Sequence, residues 1–419
     1  MMKLGPDIRI NKSTGTHADV LLAVGMADLL SYAIDGGAVR IDGRQSHFLV
    51  RLPRVLTEED LQRIPAIPGY PFLKANEKVA VPAGVIDPVD YKAERAKVDR
   101  IKKAKAKQGN LDAETQQMMQ EEQVRGDWRL LQVLNTLQGD ETSNKVHKAI
   151  VGMHPDEFYT QLATSLSLIV AGQRTETNWH ASLVQLFTPL GAKGYSRLKP
   201  DSTSRNDNTK EQWADPFVEW LRYRGYFRIA CPFFLGQKAE NIRLLCPIPG
   251  DISLAALVSL SAELPRRGVY GGTAPKLDAL ASLKAAQLLI EHSEEYHSAD
   301  GSPFPGLSLS GRGPADVVSG ISVTHYQSMG NARAVSAMSD LALPGWFPIH
   351  SPDDAQEWLE ILGEHQRAVR GLQDDRSDEI GLIMAYRRGA WAGSSVGIDR
   401  VSGTLWPFHY AGQRLGIQR

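Results

Sequence analysis

The sequence predicts an α+β protein. A mixed domain of short antiparallel strands and helices spans residues 1–345, and a smaller helical part spans residues 346–419. Three observations carry this reading. Near the start, a capped apolar run at helical spacing is followed by an Asp-Gly hairpin pattern. Residues 127–172 carry leucines and aromatics at helical spacing. Ser351-Pro352-Asp353-Asp354 is a strong helix start, with proline in the first turn, and opens the C-terminal part. A chain of 419 residues is long enough to bury a sizeable core. A formal net charge of -1 and a pI near 6.8 give no global pull toward nucleic acid or membrane, so any basic surface is a local patch.

Taken in order, Thr16 caps a helix over Val20 to Leu30, with Asp19 three residues on as its partner. Ala38 to Ile41 and His47 to Val50 flank Asp42-Gly43 as a hairpin. Thr57-Glu58-Glu59-Asp60 starts a short helix ending near Pro65, and prolines 68, 71, 82 and 88 mark an irregular segment. Residues 92–107 read as a basic helix, the first part of a basic arm at about 92–123. After the helical stretch 127–172, a helix over Phe217 to Tyr223 breaks at Arg224-Gly225 into a strand, Tyr226 to Ala230. Asn241 to Cys246 is a second strand, and Pro249-Gly250-Asp251 caps a helix over Ile252 to Leu264. Leu277 to His292 is another helix. Ser298 to Pro314, rich in Gly, Ser and Pro, is the best linker or loop. Val317 to His325 is β-like, Arg333 to Met338 a short helix, Asp353 to Val369 a long one, and Ser377 to Arg388 the last.

Cys231 and Cys246 read as buried strand-end residues. Two cysteines exclude a disulfide framework and a four-cysteine zinc site, and they fit a reducing cytoplasm. Met1 to Ser13 has charges but no apolar core, unlike a signal peptide, and no apolar run approaches a membrane span.

Two basic stretches stand out. Residues 92–107 hold six lysines and two arginines against Glu94 and Asp99, which is 8 - 2 = +6. This is either a solvated arm or a helix that lies on a polyanion, with Lys102, Lys103, Lys105 and Lys107 the candidate phosphate contacts. Residues 191–210 hold five cations (Lys193, Arg197, Lys199, Arg205, Lys210) against Asp201 and Asp207, among glycines and with Tyr195 in the middle. Lysine and arginine suit phosphate, and tyrosine offers a stacking face for a base.

Enzyme motifs are missing. The sequence has no Gly-x-Gly-x-x-Gly, Walker phosphate loop or His-Glu-x-x-His. His292 and His297 with Glu291, Glu294 and Glu295 are the closest cluster to a metal site, but a solvated helix end is the better explanation of them. Asp374, Asp375, Asp378 and Glu379 form an acidic run near a helix start. The residues therefore point to a non-enzymatic protein with local basic patches and no cofactor. A nucleic-acid enzyme using these acids stays open. So does a protein–protein adaptor acting through Trp391, Trp406 and Phe408.

Several stretches together resemble the large subunit (Cas-eight type) of type I CRISPR effector, or Cascade, complexes of the I-B-like kind. They are His17-Ala18-Asp19 with Leu21 to Leu30; Val184-Gln185-Leu186-Phe187-Thr188-Pro189 with Lys193-Gly194 and Arg197-x-Lys199; and Trp220-Leu221-Arg222 with Gly225-Tyr226, leading to Pro247-Ile248-Pro249. Further on come His325 to Ala334, Leu343-Pro344-Gly345-Trp346, and Asp353 to Arg370 with Ser377-Asp378-Glu379 and Tyr386-Arg387. The resemblance is collinear from about residue 16 to 390. Thr188 stands where the family often has Asn, and Tyr195 where a polar residue is common.

The resemblance implies a cytoplasmic ribonucleoprotein subunit that inspects duplex DNA for a PAM and helps form the R-loop, while guide pairing reads the sequence. Its partners would be a crRNA, target double-stranded DNA and the backbone, handle-binding and small subunits. A helicase-nuclease or transposition proteins would act downstream. On this reading Lys193, Arg197, Lys199, Arg205 and Lys210 meet phosphate or the RNA handle, and Tyr195 stacks. Gln327, Asn331 and Arg333 reach base edges, since Asn and Gln pair with adenine and Arg with guanine.

Overall fold

The computed structural model describes residues 4–34, 38–106, 123–173, 184, 186–187, 215–236, 241–266, 269, 273–297, 301–329 and 332–371. The fold is α+β, with helices packed on antiparallel sheets. In chain order come β1 (Asp7–Asn11), α1 (His17–Ser31), β2 (Arg40–Gly43), β3 (His47–Arg51), α2 (Glu58–Leu61), β4 (Phe72–Lys74), β5 (Pro88–Asp90) and α3 (Tyr91–Ala106). Then follow α4 (Trp128–Thr136), α5 (Asp140–Val151), α6 (Pro155–Val170), α7 (Pro216–Ile229), β6 (Cys231–Leu235), β7 (Asn241–Pro249), β8 (Asp251–Ser253) and α8 (Leu254–Glu263). The last are α9 (Ala274–Glu291), α10 (Pro314–Val317), β9 (Val318–Met329), β10 (Ala332–Ala342) and α11 (Pro352–Arg370).

One four-stranded sheet has the order β1-β3-β2-β8 and the other β10-β9-β7-β6. The hairpin expected around Asp42-Gly43 is β2–β3, with Ile41 opposite Val50 and Gly43 opposite Phe48. The strand β1, unforeseen in the sequence, lies antiparallel along its outer edge. The chain passes from β7 in one sheet to β8 in the other through Gly250 alone. A Cβ there would stand 2.6 Å from the Asp316 carbonyl oxygen, so the two sheets join only where a side chain is missing.

Helix starts follow local chemistry. Thr16, Thr57, Ser253 and Ser351 each accept a backbone N–H with the side chain. Thr57–Asp60 and Ser351–Asp354 are reciprocal capping boxes. Asp19 does not reciprocate Thr16. Its carboxylate instead accepts the N–H groups of Thr14 and Gly15 and closes the turn before α1.

α1 and α7 are buried nearly all round and lie against one another in the core. The expected break at Arg224-Gly225 is absent: α7 continues to Ile229, and Tyr226 to Ile229 are helical, not strand. Arg224 stays inside a buried helix because Asp28 of α1 meets it at 2.6 Å. The expected helix at Arg333 to Met338 is the strand β10, held by pairing with β9 from Ala332↔Met329 to Ala342↔Gly320. The helix after Gly250 starts two residues later than expected, because Asp251 to Ser253 pair with β2. The irregular segment contains a parallel pair, β4 with β5. Residues 301–313 of the expected linker pack onto the body, with Phe304, Leu307 and Leu309 buried.

Cys231 begins β6 and Cys246 lies within β7. Both are free and buried, and burial pushes the Cys231 thiol up to about 12. α11 packs on α9, and its Trp358 donates to the Phe347 carbonyl at 3.1 Å. Among the described residues, no helix is long and apolar enough to cross a membrane.

Candidate nucleic-acid interface

α3 is two-faced. Tyr91, Val98 and Ala104 are buried and Ile101 half-buried, while Lys92, Arg95, Arg100, Lys102 and Lys103 are exposed. The spacing of the buried positions is one stripe of a 3.6-residue helix, so the cations share the outward side. Tyr91 fixes the base of the helix by stacking on Trp128, ring centroids 5.1 Å apart. The Asp90 carboxylate caps it by accepting the Ala93 N–H at 3.1 Å. Along its described length the basic stretch is thus docked, its small apolar content spent on one stripe. Lys92 pairs with Glu77 (3.0 Å), Lys97 with Glu94 (2.8 Å) and Arg95 with Asp99 (3.8 Å). Among the described residues no carboxylate pairs with Lys102 or Lys103. Lys105 belongs to α3 by its backbone, and Lys107 lies outside the described residues.

Gln327 and Arg333 sit on the hairpin β9–β10, not on a helix. Gln327 is opposite Ala334 and Arg333 opposite Ser328. Directly paired residues share a face and neighbours along a strand alternate, so Gln327 and Arg333 project to opposite faces. Gln327 is exposed; Arg333 is half-buried, on the same face as the fully buried Tyr326. A single base edge cannot be read by both. The charge of Arg333 reaches Tyr91: burial raises that phenol above its ordinary range, and Arg95 and Arg333 oppose the rise. Asn331 lies outside the described residues.

Lys193, Tyr195, Arg197, Lys199, Arg205 and Lys210 also lie outside the described residues. The flanks of their segment are described. The Leu186 carbonyl accepts the Nε2–H of His17 at 2.6 Å and the Tyr326 hydroxyl at 3.3 Å. Phe187 sets its ring against the edge of Tyr223, 4.7 Å away. On the far side, Asp215 caps α7 by accepting the N–H groups of Phe217 and Val218. Donation from Nε2 leaves Nδ1 of His17 as an acceptor, and Thr324 Oγ1 fills it at 2.9 Å. Burial pulls His17 down to about 4, so it holds this geometry as a neutral ring. The N-terminal flank of the basic loop is therefore tied to Tyr326, next to Gln327, on the hairpin that also bears Arg333. His17 and Tyr326 were missed as anchors in the sequence. The one signal was a histidine opening an otherwise apolar helix.

The cluster near residue 292 is structural. His292 Nδ1 donates to the Ser302 carbonyl at 2.8 Å, and its ring stacks on Phe304 at 4.4 Å. Glu294 accepts the Gly306 N–H, and Glu295 accepts from the Ser308 hydroxyl and the Leu309 N–H. These groups hold the 301–309 loop. Among the described residues no three His, Cys, Asp or Glu side chains are placed to hold a metal ion. Asp374, Asp375, Asp378 and Glu379 lie outside them, as do Trp391, Trp406 and Phe408.

Compared with known proteins, the chain matches no protein-family model and no curated sequence.

Proposed function

We propose that this chain is the non-catalytic large subunit of a crRNA-guided type I CRISPR effector complex, reading the PAM in duplex DNA and helping the R-loop to form. The collinear resemblance supports this reading. The observation that supports it structurally is the outward cationic face of α3, where Lys102 and Lys103 are exposed and no described carboxylate pairs with them. Lysines and arginines fixed on one side of a docked helix follow phosphates without regard to sequence, with a salt-dependent contribution. Base readout then falls to Gln327 from the exposed face of the hairpin and to the 191–210 loop, and guide pairing reads the rest. No cofactor enters the scheme, and the site of action is the cytoplasm, with a crRNA, target DNA and the other Cascade subunits as partners. Neighbouring genes separate two uses. A helicase-nuclease implies interference, and transposases imply guided insertion.

The test is co-expression with neighbouring cas genes and a crRNA, then duplex binding at stated salt with a randomised flank. Tight binding that needs this chain and a particular flank, and is lost with Lys193→Ala, Arg197→Ala and Lys199→Ala together, supports the proposal. A complex that binds equally well without the chain rejects it and leaves the adaptor reading in front.

A further inference from the structure

A cleft of about 440 Å³ opens between the loop at residues 66–71, the residues before β5, the side of α5 and the last turn of α7. Its size is that of small-molecule sites. The middle is apolar. Phe227 lies parallel to Tyr70 with centroids 5.8 Å apart, and Ile86 stands at the cleft 74% exposed.

The two charged walls are unbalanced in opposite senses. On one, the single carboxylate of Asp28 serves two guanidinium groups: Arg224 Nε donates at 2.9 Å and Arg228 Nε at 2.7 Å. That leaves one positive charge in excess among the described residues. Arg228 lines the cleft with 39% of its side chain exposed, and its terminal nitrogens have no partner among the described residues. On the other wall, Asp87 and Asp127 share the one guanidinium of Arg125, with contacts of 2.8 to 2.9 Å, leaving one negative charge in excess. Four hydrogen bonds use only part of the acceptor capacity of two carboxylates.

His147 also lines the cleft. It is 2% exposed, and neither ring nitrogen has a hydrogen-bond partner. Its ring meets Tyr70 and Phe72 edge-on at 5.6 and 5.4 Å. Buried polar groups are seldom left unpaired in native proteins, so this one calls for an explanation.

We propose that the cleft binds a small zwitterion with an apolar body, an α-amino acid with an apolar side chain. Arg228 takes the carboxylate through charge-assisted hydrogen bonds. Asp87 and Asp127 take the ammonium, the apolar middle takes the side chain, and His147 supplies a polar contact. A simple anion would face the acid pair and a simple cation would face Arg228, so a ligand carrying both charges suits both walls. The site is independent of the nucleic-acid reading and is tested on the full chain alone.

The experiment is calorimetric titration, with thermal midpoints alongside, of L-phenylalanine and L-leucine against N-acetyl-L-phenylalanine and L-phenylalanine amide. The expected result is saturable binding of at least one free amino acid, with each blocked phenylalanine derivative weaker by about tenfold or more and Arg228→Gln weakening the free acid by a similar factor. Absence of saturable binding by either amino acid up to about 10 mM overturns the proposal. So does equal binding of the blocked derivatives, or an Arg228→Gln chain that binds like the parent. If Arg228→Gln does not fold, the blocked derivatives on the parent chain decide alone.

Discussion

Gly25 and Gly225 face each other's helices across one crossing. A Cβ on Gly25 would lie 1.8 Å from the Leu221 carbonyl oxygen of α7, and a Cβ on Gly225 would lie 2.0 Å from the Leu21 carbonyl oxygen of α1. Each glycine thus receives backbone one turn before its counterpart, and the two helices touch without side chains between them. Alanine normally favours a helix over glycine by about 1 kcal/mol. Here the sign reverses, because a methyl group against rigid backbone forces the helices apart. Gly25→Ala and Gly225→Ala are each expected to destabilise the fold by about 3 kcal/mol or more in urea unfolding. Gly363→Ala in α11, with nothing within 4 Å of its added Cβ, is the control and should stabilise by up to about 1 kcal/mol.

Asp28 carries two arginines, one of them only 1% exposed. Asp28→Asn keeps the shape and removes the charge, leaving Arg224 buried beside a neutral group. The expected loss is about 3 to 5 kcal/mol by equilibrium unfolding. Arg228→Gln removes the half-exposed partner and should cost within about 1 kcal/mol. Equal losses from the two would show that Arg224 does not depend on Asp28.

What was legible in the sequence was local. Thr57 and Ser351 act within a few residues, and the structure has them where the pattern puts them; the hairpin also forms, but Asp42 and Gly43 end β2 and the turn falls on residues 44–46. The misreadings come from partners far along the chain. Arg224-Gly225 looks like a break until Asp28 neutralises the arginine and Leu21 occupies the space the glycine leaves. Ala332 to Ala342 has an alanine-rich, helix-favouring composition, and pairing with β9 overrides it. The candidate interface divides in the same way. The charge of α3 is written in its residues, whereas the anchoring of Leu186 by His17, 169 residues away, is not.

Acid should weaken the fold through its buried histidines. Burial pulls His17 and His147 down to about 4, against 6.5 for the ordinary ring. Between these values the unfolded chain takes up protons that the folded chain refuses, so stability rises with pH across the window. It is fully present above 6.5, is lost as the pH falls toward 4, and falls no further from these groups below that. Each ring accounts for on the order of 3 kcal/mol. Burial pulls His365 down to about 4 as well, so urea unfolding at about pH 7 and about pH 4.5 measures a loss shared by three rings, and His147→Leu should flatten the profile by about a third. An unchanged profile in that variant would show that His147 is not protonated on unfolding.

Lys102 and Lys103 offer the cleanest test of α3 as a phosphate-tracking face. Both are exposed, and no described carboxylate offsets them. Removing them should leave the fold intact, since exposed substitutions of this kind change stability by no more than about 0.5 kcal/mol. In an assembled complex, the double change Lys102→Ala with Lys103→Ala should lower duplex affinity uniformly over all flanking sequences. It should also reduce the slope of log K against log salt by about 2, one released counterion for each lysine. Gln327→Ala should behave in the opposite way, altering the preferred flank while leaving the slope unchanged, because a base edge carries sequence and no net charge. A double lysine variant with the parent's slope would place the duplex elsewhere on the molecule. The 191–210 loop would then have to supply the phosphate contacts by itself.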